Sequence, residues 1–283
     1  MSRALVTGAG GFIGRFAVEG LRARGFDVHG AGRKDGDLLE PGTAERIVRE
    51  AEASHLLHLA WTTEHGRYWD DPGNSDWVEA THRLVEAFVR AGGERIVFAG
   101  SCAQYDWSIG TALSETDTPR RPATRYGKAK QEASELVSEL GATAIVFFPF
   151  GPYERPERLV PSIARKVLAG REAPTSAGSQ IRDFIHVADC GAALAALLDS
   201  EVAGDVNVGS GKGTSVGEVA RAVARIAGGE ELLEIGALPG DDTTSAVATT
   251  RRLREEVGFD PVFTLESGLR DAVEWWRQRT RRR

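Results

Sequence analysis

Short apolar runs alternate along the chain with longer stretches in which apolar side chains recur every three or four positions. The short runs are typical of strands, and the longer stretches are typical of amphipathic helices. A steady succession of strand, helix and strand predicts βαβ units and therefore a parallel sheet. The predicted strands are RALVT (3–7), DVHGAG (27–32), HLLHLA (55–60), RIVFAG (95–100) and AIVFF (144–148).

Helices are predicted in the gaps between these strands. An apolar stripe that includes Val78, Leu84 and Phe88 forms one of them, and Gly92-Gly93 ends it. A further helix, at about 124–140, fills the gap before the strand at 144–148.

The alternation loosens after residue 148, where four prolines interrupt the chain before a short helix that runs to Gly170. A strand and a helix return in RDFIHVADCGAALAALLDS, a strand follows in DVNVGS, and a polar loop around 236–250 precedes a final helix. We therefore expect an α/β fold: a Rossmann-like, doubly wound parallel sheet with a smaller, interleaved C-terminal substrate-binding lobe. The dinucleotide-binding domain would span 1–148 with returning segments near 181–210, and the lobe would span 149–180 and 211–283.

Composition narrows the class of protein. A formal net charge of −6 over 283 residues argues against nucleic acid or an anionic membrane as a partner. Two cysteines supply no disulfide framework, which fits a reducing compartment. No stretch approaches the roughly 20 apolar residues of a membrane span, and the strand pattern begins directly at the N-terminus. We expect a cytoplasmic protein, and no metal site is predicted.

A glycine loop, TGAGGFIG (7–14), lies between the first predicted strand and helix. Gly8, Gly11 and Gly14 are three residues apart, which allows the backbone to approach a pyrophosphate closely at the positive end of a helix. A tight structural turn is the alternative. The position directly after strand one favours nucleotide binding.

The turn after strand two bears on the choice of cofactor. An acidic residue there would accept hydrogen bonds from the ribose of NAD, whereas an arginine accommodates the 2′-phosphate of NADP. The sequence GAGRKDGDLL has Arg33 and Lys34 beyond the strand, which favours NADP(H) over NAD(H), unless the turn is only a solvated basic one. Asp37 and Leu38 follow and could border the adenine.

TRYGKAKQE (124–132) places a tyrosine and a lysine four positions apart in a chain that is poor in both. Such residues meet on one face of a helix. Tyr126 and Lys130 are either a surface pair or a phenol beside an ammonium that favours its phenolate. The pair alone leaves both interpretations open.

Together these segments resemble the extended short-chain dehydrogenase/reductase family, in its nucleotide-sugar epimerase, dehydratase and ketoreductase branch. The resemblance spans nearly the whole chain and rests on TGAGGFIG, HLAW (58–61), GSCAQY (100–105), YGKAK (126–130), the Gly-Pro at 151–152 and RDFIHVAD (182–189). It implies a homodimer through the helices at 76–91 and 124–140, and a nucleotide sugar as substrate.

The resemblance also assigns residues to roles. Tyr126 would be the proton donor and acceptor, Ser101 would hydrogen-bond the substrate oxygen, and Lys130 would tune the phenol and hold the nicotinamide ribose. Arg182 would clamp the substrate diphosphate, unless it only pairs with Asp183. The implied cofactor-binding residues are Gly8, Gly11, Phe12, Ile13, Gly14, Arg33, Asp37, Leu38, Ala60, Tyr126, Lys130 and Pro149, and the implied substrate-binding residues are Trp61, Ser101, Cys102 and Arg182.

Members of this branch catalyse dehydration, reduction or epimerisation of nucleotide sugars, and the residues of this chain fit these reactions to different degrees. Dehydratases carry an Asp-Glu pair where this chain has Cys102 and Ala103, which argues against dehydration. The leading hypothesis is an NAD(P)H-dependent reductase of a nucleotide-activated 4-keto-6-deoxyhexose. The alternatives are a nucleotide-sugar epimerase with tightly bound NAD and a non-catalytic NAD(P)-sensing protein. Phe148 in place of a usual asparagine and Trp77 after strand three depart from the family pattern.

Overall fold

A computed structural model describes residues 2–110, 112–240 and 244–280. The strands are β1 Arg3–Thr7, β2 Asp27–Ala31, β3 His55–His58, β4 Arg95–Ser101, β5 Ala112–Leu113, β6 Gly141–Val146, β7 Phe148–Phe150, β8 Ala173–Thr175, β9 Ile181–His186, β10 Gly204–Val208, β11 Gly213–Ser215, β12 Leu233–Ile235 and β13 Ser245–Ala248. The helices are α1 Gly14–Ala23, α2 Thr43–Ala51, α3 Asn74–Arg90, α4 Arg125–Glu135, α5 Leu159–Leu168, α6 Val187–Leu198, α7 Val216–Ala227, α8 Arg251–Glu255 and α9 Leu265–Thr280.

The central sheet has six strands in the order β10, β6, β4, β3, β1, β2, and every neighbouring pair is parallel. The helices α1 and α6 cover one face, and α2, α3 and α4 cover the other. The strands β3, β4 and β6 are almost fully buried because both faces are covered, which explains their continuous apolar runs. The predicted α/β, Rossmann-like fold is confirmed.

A smaller lobe, made of α5, α7 and α9, has its own apolar core. Beside it lies a second sheet in the order β11, β9, β13, β5, with β7 paired to β9. Within the segment 181–210, β9 joins this second sheet, while β10 joins the central sheet and α6 packs beneath it. The division of the chain into domains remains a prediction.

The polar loop predicted around 236–250 contains a strand, β13. Ala246 and Ala248 point into the core and pair the strand with β9 and β5, which are distant in sequence. Two alanines are too small an apolar signal to predict a strand without knowledge of these partners. Residues 241–243 of the loop lie outside the described part of the chain. Within the described residues, no helix is both long and apolar enough to cross a membrane.

Candidate active site

One cavity opens at the carboxyl ends of the central strands, between the sheet and the lobe. Its volume is about 1460 Å³, above the roughly 300–1,000 Å³ of a typical small-molecule site, so it has room for more than one ligand. All the cofactor-binding, catalytic and substrate-binding candidates of the sequence analysis line its wall. The structure therefore brings the whole predicted set together.

The glycine loop forms one part of this wall. Gly8 has a φ of +69°, and a Cβ on it would lie 3.0 Å from the Ala60 backbone nitrogen. A Cβ on Gly14 would lie 2.1 Å from the Gly8 carbonyl oxygen. The amides of Phe12 and Ile13 have no backbone acceptor within the described residues, and both residues line the cavity. The loop at the start of α1 thus fits a pyrophosphate.

The turn after β2 keeps its charged side chains at the surface. Arg33 and Lys34 are exposed, and Arg33 lines the cavity. The Asp35 carboxylate accepts a hydrogen bond from the Gly32 amide at 2.9 Å, so an acidic side chain does lie close to the strand end. Further on, Asp37 is exposed. The turn therefore offers both a cation and an anion near the position of an adenosine ribose.

Tyr126 and Ser101 both line the cavity, and the Ser101 hydroxyl is near enough to lower the pKa of the Tyr126 phenol. Ser101 ends β4, and Tyr126 lies in the first turn of α4, which the Thr124 side chain caps through the Gly127 amide at 3.1 Å. A Cβ on Gly127 would lie 2.3 Å from the Ala103 carbonyl oxygen. The helix can approach the end of β4 this closely only because residue 127 has no side chain.

The Tyr126 phenol is surrounded by aromatic rings. Its ring centroid lies 4.9 Å from that of Tyr68 and 5.8 Å from that of Trp69, both edge to face. Burial raises the pKa of Tyr126 above its ordinary value, the neighbouring Tyr68 raises it further, and the Ser101 hydrogen bond lowers it. In the protein alone the phenol is therefore protonated at neutral pH.

Lys130 lies one helical turn below Tyr126, in an aromatic enclosure. Its Nζ donates to the Ala99 carbonyl oxygen at 2.8 Å and lies 3.9 Å from the Trp61 ring centroid and 4.6 Å from that of Phe98. Burial lowers the pKa of Lys130 well below its ordinary value. Trp61, predicted to bind substrate, therefore also packs directly on the lysine.

The charge of Lys130 was expected to lower the pKa of the Tyr126 phenol, but burial has the larger influence on that pKa. Lys130 Nζ lies 5.9 Å from the Tyr126 ring centroid, and burial outweighs any depression of the phenol pKa. Two other neighbours interact with the Lys130 amine: the ring of the partly buried Trp61, and the buried His58, whose pKa falls to about 3 through burial and the charge of Lys130.

Arg182 lies in the cavity wall on the side of Trp107. Its side chain is nearly buried, its guanidinium carbon is 4.9 Å from the Trp107 ring centroid, and its Nη1 donates to the Thr244 carbonyl oxygen at 2.7 Å. The Asp183 carboxylate accepts hydrogen bonds from Ser210 N and Oγ. Asp183 thus anchors the loop after β10, while Arg182 faces the cavity.

The sequence analysis missed two charged residues of this wall, Glu154 and Arg158. Glu154 is 6% exposed and lies beside the Arg158 guanidinium, with Oε1 at 3.9 Å from Nε. Both follow the Gly-Pro at 151–152 in a stretch rich in proline and charge, which resembles a solvated loop. Nothing in the local pattern indicates that a glutamate there is buried.

Comparisons with known proteins agree with this geometry. Residues 4–209 match the model of the NAD dependent epimerase/dehydratase family. The chain is 27% identical over 319 aligned positions to UDP-glucose 4-epimerase of Streptomyces lividans, covering 96% of this chain and 95% of that protein. It is 26% identical over 328 positions to dTDP-glucose 4,6-dehydratase of Xanthomonas campestris, covering 98% and 93%.

Solved structures give the same result. MoeE5 in complex with UDP-glucose and NAD has a TM-score of 0.84 at 30% identity, covering 98% of this chain and 99% of that chain. UDP-glucose 4-epimerase of Thermus thermophilus in complex with NAD has a TM-score of 0.87 at 28% identity, covering 97% and 99%.

These relatives support the epimerase alternative better than the ketoreductase hypothesis, and the NAD in the solved neighbours gives no support to a preference for NADP(H). The specific reductase resemblance is likewise not shown. The extended short-chain dehydrogenase/reductase resemblance is confirmed at the level of the family: the chain belongs to the NAD dependent epimerase/dehydratase family.

Proposed function

We propose that this protein is an NAD-dependent 4-epimerase of a nucleotide-activated hexose. The observation that carries the proposal is the placement of Ser101, Tyr126 and Lys130 together in the wall of a cavity that also includes the glycine loop. The similarity to UDP-glucose 4-epimerases, and to MoeE5 in its complexes with UDP-glucose and UDP-glucuronic acid, supports the hexose substrate.

The chain's own residues supply binding, orientation and proton transfer. NAD, when bound, would supply the acceptor for the hydride at C4 of the sugar and a positive ring that favours the Tyr126 phenolate. Tyr126 takes the proton of the C4 hydroxyl and gives it back after the keto sugar has turned its other face. Ser101 hydrogen-bonds the same oxygen, and Lys130 would hold the nicotinamide ribose. The amides of Phe12 and Ile13 would bind the pyrophosphate.

Dehydration lacks its acid in this site. Cys102 follows Ser101 where a dehydratase would have the first of its two acids, and burial raises the pKa of the Cys102 thiol to about 12, with only partial offset by Arg182. A neutral thiol neither protonates a leaving hydroxyl nor removes the C5 proton at neutral pH. We therefore expect hydride removal and return at C4 without elimination of water.

The test is to incubate the purified protein and NAD with UDP-glucose or UDP-galactose and to follow the C4 configuration by NMR. We expect the two sugars to interconvert with no net reduction of NAD and with deuterium at C4 retained in the product. Neither sugar changing, while a 4-keto-6-deoxy nucleotide sugar is consumed with NADPH, would overturn the proposal.

A reductase is the second candidate, and the exposed Arg33–Lys34 turn favours it. A cation at this position suits the 2′-phosphate of NADPH, a cofactor that is exchanged at each turnover. The NMR experiment separates the two candidates, because a reductase consumes one reduced nicotinamide for each sugar whereas an epimerase consumes none.

A further inference from the structure

Glu154 and Arg158 form a charged pair that the proposed reaction leaves unused. The two side chains extend from the segment between β7 and α5 and line the same cavity as Tyr126. Glu154 Oε1 lies 3.9 Å from Arg158 Nε. Its Oε2 is buried and has no hydrogen-bond partner among the described residues. A carboxyl group held in this way is neutral over much of the physiological range, because burial raises the pKa of Glu154 to about 8.

A neutral glutamate leaves the charge of Arg158 uncompensated. No other carboxylate forms a salt bridge with this guanidinium within the described ranges. Arg158 also occupies the position just before α5, where no side chain accepts hydrogen bonds from the first amides of the helix. The positive end of a helix and a guanidinium whose neighbouring carboxyl is neutral therefore occupy one place in the cavity wall, which is an environment suited to an oxyanion.

This place is close to Tyr126, the proposed proton donor and acceptor. The Arg158 guanidinium interacts with the Tyr68 hydroxyl and partly offsets the rise that burial causes in the pKa of Tyr68. Tyr68 lies edge to face with Tyr126, and Arg158 acts on the pKa of Tyr126 as well. Arg182, in contrast, lies on the side of Trp107 and acts on Cys102.

We propose that Arg158, supported by Glu154, is the binding subsite for a carboxylate carried by the sugar, so that the preferred substrate is a nucleotide-activated hexuronate. The proposal rests on the proposed epimerase function. In a hexuronate the carboxylate is attached to C5, the neighbour of C4. C4 carries the hydroxyl that Tyr126 and Ser101 would contact. The diphosphate is attached at C1, on the far side of the sugar ring, and Arg182 serves it better.

The pair also makes the affinity depend on pH. When Glu154 ionises, it becomes a competing anion for Arg158. The other groups around Arg158 are His65, Tyr68, Tyr126, Arg155 and Glu157. Burial keeps both tyrosines neutral near pH 8, and burial, followed by the charge of Arg158, lowers the pKa of His65, so these three groups hold a constant charge from pH 7 to pH 9.

The test measures binding, so it does not depend on turnover. Calorimetric titration of the NAD-loaded protein with UDP-glucuronate and with UDP-glucose gives the ratio of the two Kd values. We expect wild type to prefer UDP-glucuronate, and Arg158→Gln to weaken UDP-glucuronate by at least about tenfold while changing UDP-glucose little. Arg158→Lys should retain part of the preference, and the matched control Arg171→Gln, exposed beyond the other end of α5, should change neither affinity.

Two results would overturn the subsite. Equal losses for both sugars would assign Arg158 to the diphosphate, and unchanged affinities would remove it from the site. If the preference holds but neither sugar is epimerised, the proposed function fails and the subsite stands.

A second measurement follows the role of Glu154. In wild type the Kd for UDP-glucuronate should rise between pH 7 and pH 9, and in Glu154→Gln it should stay level. A rise of the same size in the variant would show that Glu154 does not compete for the guanidinium.

Discussion

Lys130 places its amine among aromatic rings, where burial lowers its pKa well below the ordinary value, and the amine has no salt-bridge partner within the part of the chain that the structure describes. Its compensation is the Ala99 carbonyl oxygen and the π face of Trp61, which together replace only part of the hydration of an ammonium. The buried lysine is therefore costly to the fold.

Lys130→Met is expected to lower NAD affinity and turnover together while raising the unfolding temperature, because an apolar chain of similar length fits the enclosure without desolvation. Calorimetric binding and a thermal melt measure the two effects. Lys128→Met, exposed on the same helix, is the matched control and should change neither. A variant with full NAD affinity would remove Lys130 from the cofactor site.

Tyr126→Phe keeps the ring and its contacts with Tyr68 and Trp69 but removes the transferable proton. General acid–base catalysis contributes about 10²–10⁴-fold, so kcat for epimerisation should fall by roughly that factor. NAD affinity should change little, because the hydroxyl does not carry the dinucleotide. Tyr153→Phe is the control, since the ring of Tyr153 packs on Phe16 and Trp275, away from Ser101. Near-normal turnover in Tyr126→Phe would show that Tyr126 does not transfer the proton.

The raised pKa of Glu154 predicts a pH dependence of stability. The folded protein holds this proton up to about pH 8, whereas the unfolded chain releases it near 4.5, so stability falls as pH rises through that interval. Glu154→Gln has no such titration. Its free energy of unfolding relative to wild type should therefore rise from about pH 4.5 to pH 8 and level off above.

Urea unfolding at several pH values measures this difference. Glu157→Gln, exposed on the same segment, should run parallel to wild type throughout. A parallel curve for Glu154→Gln as well would show that the carboxyl is ionised in the folded protein.

At the residue scale, the sequence allowed prediction of those side chains whose spacing is local. Tyr126 and Lys130 are four apart on one helix, and the three glycines follow one strand. The contacts of Trp61 with Lys130 and the burial of Glu154 depend on chain segments that meet only in the folded protein, so local patterns carry no sign of them.

Among the elements, the turn after β2 lies where the two nicotinamide cofactors differ. Arg33 is exposed, as a 2′-phosphate site requires, while Asp35 accepts a hydrogen bond from the strand end, so a mutation at Arg33 tests the choice of cofactor. If NAD is the cofactor, Arg33→Ala should leave its Kd within about twofold. If NADPH is the cofactor, loss of a charged hydrogen bond of about 1.5–3 kcal/mol should weaken it by roughly 10–150-fold. An equally large loss of affinity for NAD and for NADPH in Arg33→Ala would contradict both expectations.

Prediction succeeded for the strands of the central sheet and failed for small strands such as β13. The runs of β1, β4 and β6 are mainly apolar, so their pattern identifies them without their partners. β13 shows only two buried alanines and depends on β9 and β5 for its hydrogen bonds. Such a strand can be predicted only when its partner strands in the second sheet are known.

For the molecule as a whole, association through α3 and α4 remains a prediction. Val89 on α3 is 44% exposed and is the large apolar side chain that these helices leave at the surface within the described residues. Val89→Glu should shift the mass measured by light scattering from dimer towards monomer. Val262→Glu, at an 83% exposed valine on the opposite side of the sheet, should not. A wild-type monomer at all concentrations would refute the dimer.

The close approach at Gly127 has a consequence for redesigning the enzyme. The spacing of Ser101 and Tyr126 is set by backbone against backbone, at a point where a single added carbon would collide with the Ala103 carbonyl oxygen. The side chains of Trp69 and Arg158 line the same cavity and do not take part in that contact. Libraries that vary these two positions should therefore yield altered sugar preference while the backbone contact at Gly127 is kept.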